Sequence, residues 1–205
     1  GSFMHRLIPA VAAIAMAASV TVSVSPASAD GSTINSAGYL TSDGKRGVVD
    51  LTATGAKAVV PGTGPIVVSL GDSYISGEAG RWAGNVIKTS NFGVTDALSY
   101  KAYDDAGADE AIKDCHRSRQ AEVNFTPAGS ASVNLACSGA TALSDYSSKS
   151  NTWKPGIDFA QQKVRSGAVG VGQAQLLKNL AAANPGRIGF IVLSIGGNDF
   201  DFGTI

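Results

Sequence analysis

Three short segments carry the groups that acyl transfer needs: Gly71-Asp72-Ser73, Cys137-Ser138-Gly139 and Gly196-Gly197-Asn198-Asp199. A serine hydroxyl attacks an ester carbonyl, and neutral donors such as a glycine N–H or an asparagine carboxamide hold the negative oxygen that develops. Removing one such donor costs about 3 to 4 kcal/mol of transition-state stabilisation, so Asn198 carries nearly the weight of the serine. A serine after Gly-Asp equally suits a plain turn, and only convergence of the three segments in space separates the two readings.

The surrounding pattern says how they could converge. Each segment follows an apolar, β-branched run of strand length: Ile66 to Leu70, Ser132 to Ala136, and Arg187 to Ile195. The last is nearly continuous, which suits a strand covered on both faces. Apolar residues at Ala174, Leu176, Leu177, Leu180, Ala181 and Ala183 have helical spacing over 173–183, and Asn184-Pro185-Gly186 stops the helix before the third run. Helix, short turn and buried strand form half of a βαβ unit, so the expected fold class is α/β with a mostly parallel sheet. In such a sheet the three strand ends lie along one edge. The segment 30–64, rich in small residues with a strand-like patch at Val48 to Thr52, reads as an N-terminal arm or hairpin set off by Pro61-Gly62-Thr63-Gly64-Pro65. From Gly77 to about Phe125 the pattern is irregular, with scattered Trp82, Tyr100, Tyr103, Asp104 and Asp105, and such an excursion commonly carries binding surface.

Length and composition set bounds. The 205 residues, 44% hydrophobic and with 16 basic against 16 acidic side chains, describe one globular domain without the basic excess that nucleic acid demands. Gly1-Ser2-Phe3 reads as a cloning remnant (1–3), and 4–29 reads as a secretory signal: a start at Met4, the positive His5-Arg6, an apolar stretch and an Ala27-Ser28-Ala29 cleavage site. Export favours pairing Cys115 with Cys137, the only cysteines, over free thiols or half a metal site, since His116 is the only histidine after the leader. That bridge closes a loop of about 20 residues and is worth about 3 kcal/mol.

Taken together, Gly71-Asp72-Ser73-Tyr74, Cys115-His116-Arg117-Ser118, Ala136-Cys137-Ser138-Gly139-Ala140 and Gly196-Gly197-Asn198-Asp199 make the chain resemble the SGNH hydrolases, the GDSL esterase/lipase superfamily, in particular their secreted actinobacterial members. The resemblance implies a flavodoxin-like three-layer sandwich with its site at the carboxyl edge of the strands. It implies Ser73 as nucleophile and first oxyanion donor through its N–H, Gly139 as a second through its N–H, and Asn198 as a third through its side chain. It also implies a structural Cys115–Cys137 bridge, an extracellular bacterial setting, no metal or organic cofactor, and a small-molecule or lipid ester substrate met in solution or at a membrane-lipid surface. No nucleic-acid partner is expected.

Two positions depart from that pattern. Tyr74 stands where the family name has leucine, and the family's fourth block, a D-x-x-H with the general base, does not occur in the 205 residues. His116 beside a half-cystine reads as a structural histidine rather than the base. Residues 65–205 are therefore expected to form the N-terminal part of a longer hydrolase domain, with the remaining part of that domain as its partner. A non-catalytic module or pseudoenzyme with the same fold is the alternative from another class, and acetylated polysaccharide is the alternative substrate. Asp72 reads as a cap, Asp199 as a brace for the Asn198 loop, and Arg117 as an ion-pair or carbonyl-binding residue. Trp82, Tyr74 and Phe200 suit either an acyl pocket or the core.

Overall fold

A computed structural model describes residues 33–52, 56–78, 103, 112, 114–147, 152–164 and 167–200. The leader at 4–29 and Trp82, Tyr100, Asp104 and Asp105 of the long excursion lie outside the described residues.

The centre is a five-stranded mixed sheet formed by β1 (Ser36–Thr41), β2 (Arg46–Asp50), β3 (Ile66–Gly71), β4 (Ala131–Asn134) and β9 (Ile188–Ser194), in the order β2-β1-β4-β3-β9. Strand β3 is its axis, buried along its whole length and parallel to both β4 and β9. Two antiparallel ribbons, β5 (Asp145–Ser147) with β6 (Thr152–Lys154) and β7 (Gln161–Lys163) with β8 (Val169–Val171), fill the connection between β4 and the helix that precedes β9. The three apolar runs are thus the parallel core of an α/β fold.

The sheet as a whole is mixed rather than mostly parallel. Residues 36–50 fold as the hairpin expected, but β1 also pairs antiparallel with β4, matching Tyr39 to Val133 and Leu40 to Ser132. Gly44, at φ 82°, makes the turn between β1 and β2. Arg117 locks this junction: it is fully buried and donates to the carbonyls of Ser36, Leu135 and Ala136 at 2.7 to 2.9 Å.

One face of the sheet is covered by α2 (Gln173–Ala183). Leu176 and Leu180 pack against Ile66, Val68, Leu70, Val133 and Leu135, alternate residues that a pleated strand turns to one side. Helix α2 stops where its sequence says: the Asn184 side chain donates to the carbonyls of Leu180 and Ala58 and accepts from the Val60 N–H, and Pro185 follows. On the opposite face Val67 packs with Ala121 and Val123.

Strand β9 is not covered on both faces. It is the outermost strand, and Phe190, Ile191, Val192 and Leu193 are 64%, 53%, 38% and 57% exposed, because no element of the described residues lies outside it. No helix among the described residues is long and apolar enough to cross a membrane.

Candidate functional site

The three strand ends meet at Gly71. Its carbonyl accepts from the Cys137 N–H at 3.0 Å on one side, and on the other the Asp72 N–H donates to Ser194 at 3.0 Å. A residue with a side chain has no place here, since φ is 142° and a Cβ would fall 1.7 Å from the Ser194 oxygen. The Gln173 carboxamide clasps the same peptide from α2: the Gly71 N–H donates to Oε1 at 2.7 Å, and Nε2 donates back to the Gly71 carbonyl at 2.8 Å and to Pro155 at 2.7 Å. The chemistry of Gln173 alone does not single it out in the sequence. It nevertheless stands three, four and seven residues before Leu176, Leu177 and Leu180, on the buried stripe of α2, where an amide must find polar partners.

Ser73 opens α1 (Ser73–Ser76), and Asp72, 1% exposed, caps that turn by accepting the Tyr74 N–H at 3.1 Å. The cap role expected for Asp72 is therefore what its carboxylate does. The Ser73 N–H and hydroxyl form no hydrogen bond among the described residues.

Gly139 follows Cys137-Ser138 in a tight turn, with φ 77° and Ala140 N–H bonded to the Cys137 carbonyl. Its own N–H is unbonded among the described residues. Cys137 is bridged to Cys115, as expected for the only two cysteines, and the Ser138 N–H donates to the Cys115 carbonyl at 2.9 Å.

The loop after β9 leans onto this turn. Asn198 Nδ2 donates to the Ala140 carbonyl at 2.8 Å, next to Gly139, and the Asp199 carboxylate accepts the Ala142 N–H at 2.9 Å. Asp199 thus braces the Asn198 loop. Gly197 lies against the Tyr74 ring and the Asp72 carboxylate, within 3.4 and 3.6 Å of where its Cβ would be. Tyr74 and Phe200 are 72% and 80% exposed, so neither is core.

His116 is engaged elsewhere. Its ring stacks on Tyr103 with centroids 4.4 Å apart, and Nδ1 lies 3.2 Å from Glu78 Oε1, at an angle too poor for a directional hydrogen bond. The other Glu78 oxygen accepts the Ser138 hydroxyl at 2.7 Å. The imidazole is the main cause holding the Glu78 carboxyl below its ordinary value, with the Ser138 hydroxyl and Lys154 helping and burial opposing. Residue types and spacing alone do not reveal Glu78 or the Ser138 hydroxyl.

Among the described residues no group of three or more His, Cys, Asp or Glu side chains could hold a metal ion. A cavity of about 310 Å³ between Thr41, Asp43, Lys45, Pro61, Gly129 and Arg187 opens at the other end of the parallel strands, where the Arg187 guanidinium is engaged by the carbonyls of Val60, Pro61 and Gly64. The strand ends around Gly71 are the better candidate, because unbonded donors and a hydroxyl gather there. No protein-family model, no curated protein and no solved structure matches the chain.

Proposed function

We propose that the chain is the N-terminal part of a secreted serine ester hydrolase of the SGNH type, with Ser73 as nucleophile and the Ser73 N–H, Gly139 N–H and Asn198 carboxamide as oxyanion donors. The observation that carries this reading is the meeting of three distant segments at Gly71: Ser73 lies two residues on, Cys137 and Ser194 flank it, and Asn198 is bonded beside Gly139. The half-buried Ser73 N–H, left unbonded among the described residues at that edge, supports it, since buried donors are rarely left idle; the Gly139 N–H, on an exposed residue, is also unbonded and open to a ligand.

The chemistry is acyl transfer. Ser73 Oγ bonds the ester carbonyl carbon while its proton passes to a base; the alcohol leaves with that proton, and water then cleaves the acyl-enzyme to acid and free serine. Charge on the carbonyl oxygen is met by the three donors. The reaction needs no metal or organic cofactor, and the substrate is a small-molecule or lipid ester.

No histidine among the described residues is bonded to Ser73, and His116 is held by Tyr103 and Glu78. The base therefore comes from a downstream D-x-x-H block, in a flavodoxin-like three-layer sandwich whose further strand and helix cover β9. The four exposed apolar side chains of β9 support that continuation, because an edge strand is ordinarily short, charged or shielded.

The test is hydrolysis of p-nitrophenyl esters by the full-length chain. The full-length protein turns over, Ser73→Ala removes turnover, and the 205-residue piece hydrolyses barely or not at all. A coding sequence that stops at Ile205 favours the non-catalytic module instead.

A further inference from the structure

The Gly139 turn is held from below by the disulfide segment and from the side by a carboxylate, and the second attachment has no evident purpose in the core. Glu78 lies two residues beyond α1, after Gly77, whose φ of 101° lets the backbone turn away from the helix. From there Oε2 takes the Ser138 hydroxyl at 2.7 Å, joining residues 60 apart in sequence. Oε1 faces His116 at 3.2 Å, and His116 is itself fixed by stacking on Tyr103. Asp114 and His116, on either side of Cys115, both adopt left-handed backbone, at φ 62° and 51°. The Lys154 ammonium donates to the Asp114 carbonyl and passes 4.0 Å from where a Gly139 Cβ would be, which places a positive charge beside this turn.

We propose that Glu78 is a positioning residue that ties the turn carrying Gly139 to the helix carrying Ser73, and that the Ser138 hydroxyl is the point of attachment. The inference rests on the esterase reading and goes beyond it. The Ser138–Gly139 peptide unit contains the Gly139 N–H. Ser138 stands at one end of that plane and a glycine at the other, and a glycine offers little resistance to rotation. The hydroxyl–carboxylate bond fixes the serine end and so the direction in which the N–H points. Because Glu78 rides on the segment that begins with Ser73, nucleophile and donor then move together. His116 packs beside the carboxylate, its Nδ1 3.2 Å from Oε1, rather than serving as a base to Ser73.

The experiment is steady-state kinetics of the full-length chain with Ser138→Ala, Glu78→Ala, Glu78→Gln and the double variant Ser138→Ala/Glu78→Ala, alongside thermal midpoints. Displacing a reacting group by about 1 Å costs up to about 100-fold. Ser138→Ala and Glu78→Ala should therefore lower kcat by about 10- to 100-fold and leave KM within about twofold. The double variant should be no slower than Glu78→Ala, because the two changes break the same link. Glu78→Gln, whose amide oxygen still accepts from Ser138, should recover most of the loss. Singles with wild-type kcat, losses that multiply in the double variant, or a fall in kcat that merely follows the folded fraction would overturn the inference while leaving the esterase reading intact. A full-length wild type without any esterase activity would overturn both. Where Glu78→Ala does not fold, Ser138→Ala, which deletes a single hydroxyl, is compared with Glu78→Gln: a slow Ser138→Ala beside a near-wild-type Glu78→Gln supports the link, and equal rates overturn it.

Discussion

Asn198 and Ala140 are joined by a hydrogen bond of 2.8 Å from the carboxamide nitrogen to the backbone carbonyl, which sets the loop after β9 beside the turn after β4. One Nδ2 proton is used in that bond and the other has no partner among the described residues. In the full-length chain Asn198→Ala should lower kcat for ester hydrolysis by about 100- to 1,000-fold, the usual effect of losing an oxyanion donor, with KM little changed. Because Asn198 is exposed, its thermal midpoint should stay near that of the wild type.

Gly71→Ala should fail at the level of folding. A methyl group 1.7 Å from the Ser194 oxygen forces β9 away from β3 and pulls the Gly71 peptide from Gln173. Strain and lost packing together should cost about 3 kcal/mol or more. Urea unfolding of Gly71→Ala against the wild type measures it.

Arg117→Met should be equally damaging for a different reason. It leaves three buried carbonyls, of Ser36, Leu135 and Ala136, without their donor, at about 1 to 3 kcal/mol for each such group. Circular dichroism should show unfolding at a lower denaturant concentration than in the wild type.

Glu78 gives the pH dependence its sign. Its carboxyl is held below the ordinary value of 4.5, mainly by His116, so the folded state prefers the ionised form. The resulting stability is fully present above pH 4.5 and is lost as pH falls through the depressed value. Glu78→Gln should therefore show a shallower loss of unfolding midpoint than the wild type as the pH is lowered below 4.5.

What could be read from the residues in order is what depends on near neighbours. Ile66-Val67-Val68 is β-branched and apolar, and it is β3; Asn184-Pro185 ends α2 because asparagine caps and proline forbids continuation. The meeting of Gly71, Cys137 and Ser194 was likewise legible, since parallel strands put their carboxyl ends together. The antiparallel pairing of Tyr39 with Val133 was not, because the local pattern of neither strand names its partner; Arg117, which joins the Ser36 carbonyl to those of Leu135 and Ala136, is a link between segments far apart in sequence. Glu78 with Ser138 was hidden for a related reason: the link crosses a long excursion without periodicity. Gln173 could have been found, since a polar residue on a leucine stripe announces a buried partner.

The Ser73 hydroxyl is the group on which everything else converges, and a fluorophosphonate reads it directly. The full-length chain treated with such a probe should gain one adduct, mapped by peptide mass to the segment containing Ser73, and Ser73→Ala should gain none. A full-length wild type that stays unlabelled, or a Ser73→Ala protein that labels as well as the wild type, would contradict Ser73 as the nucleophile.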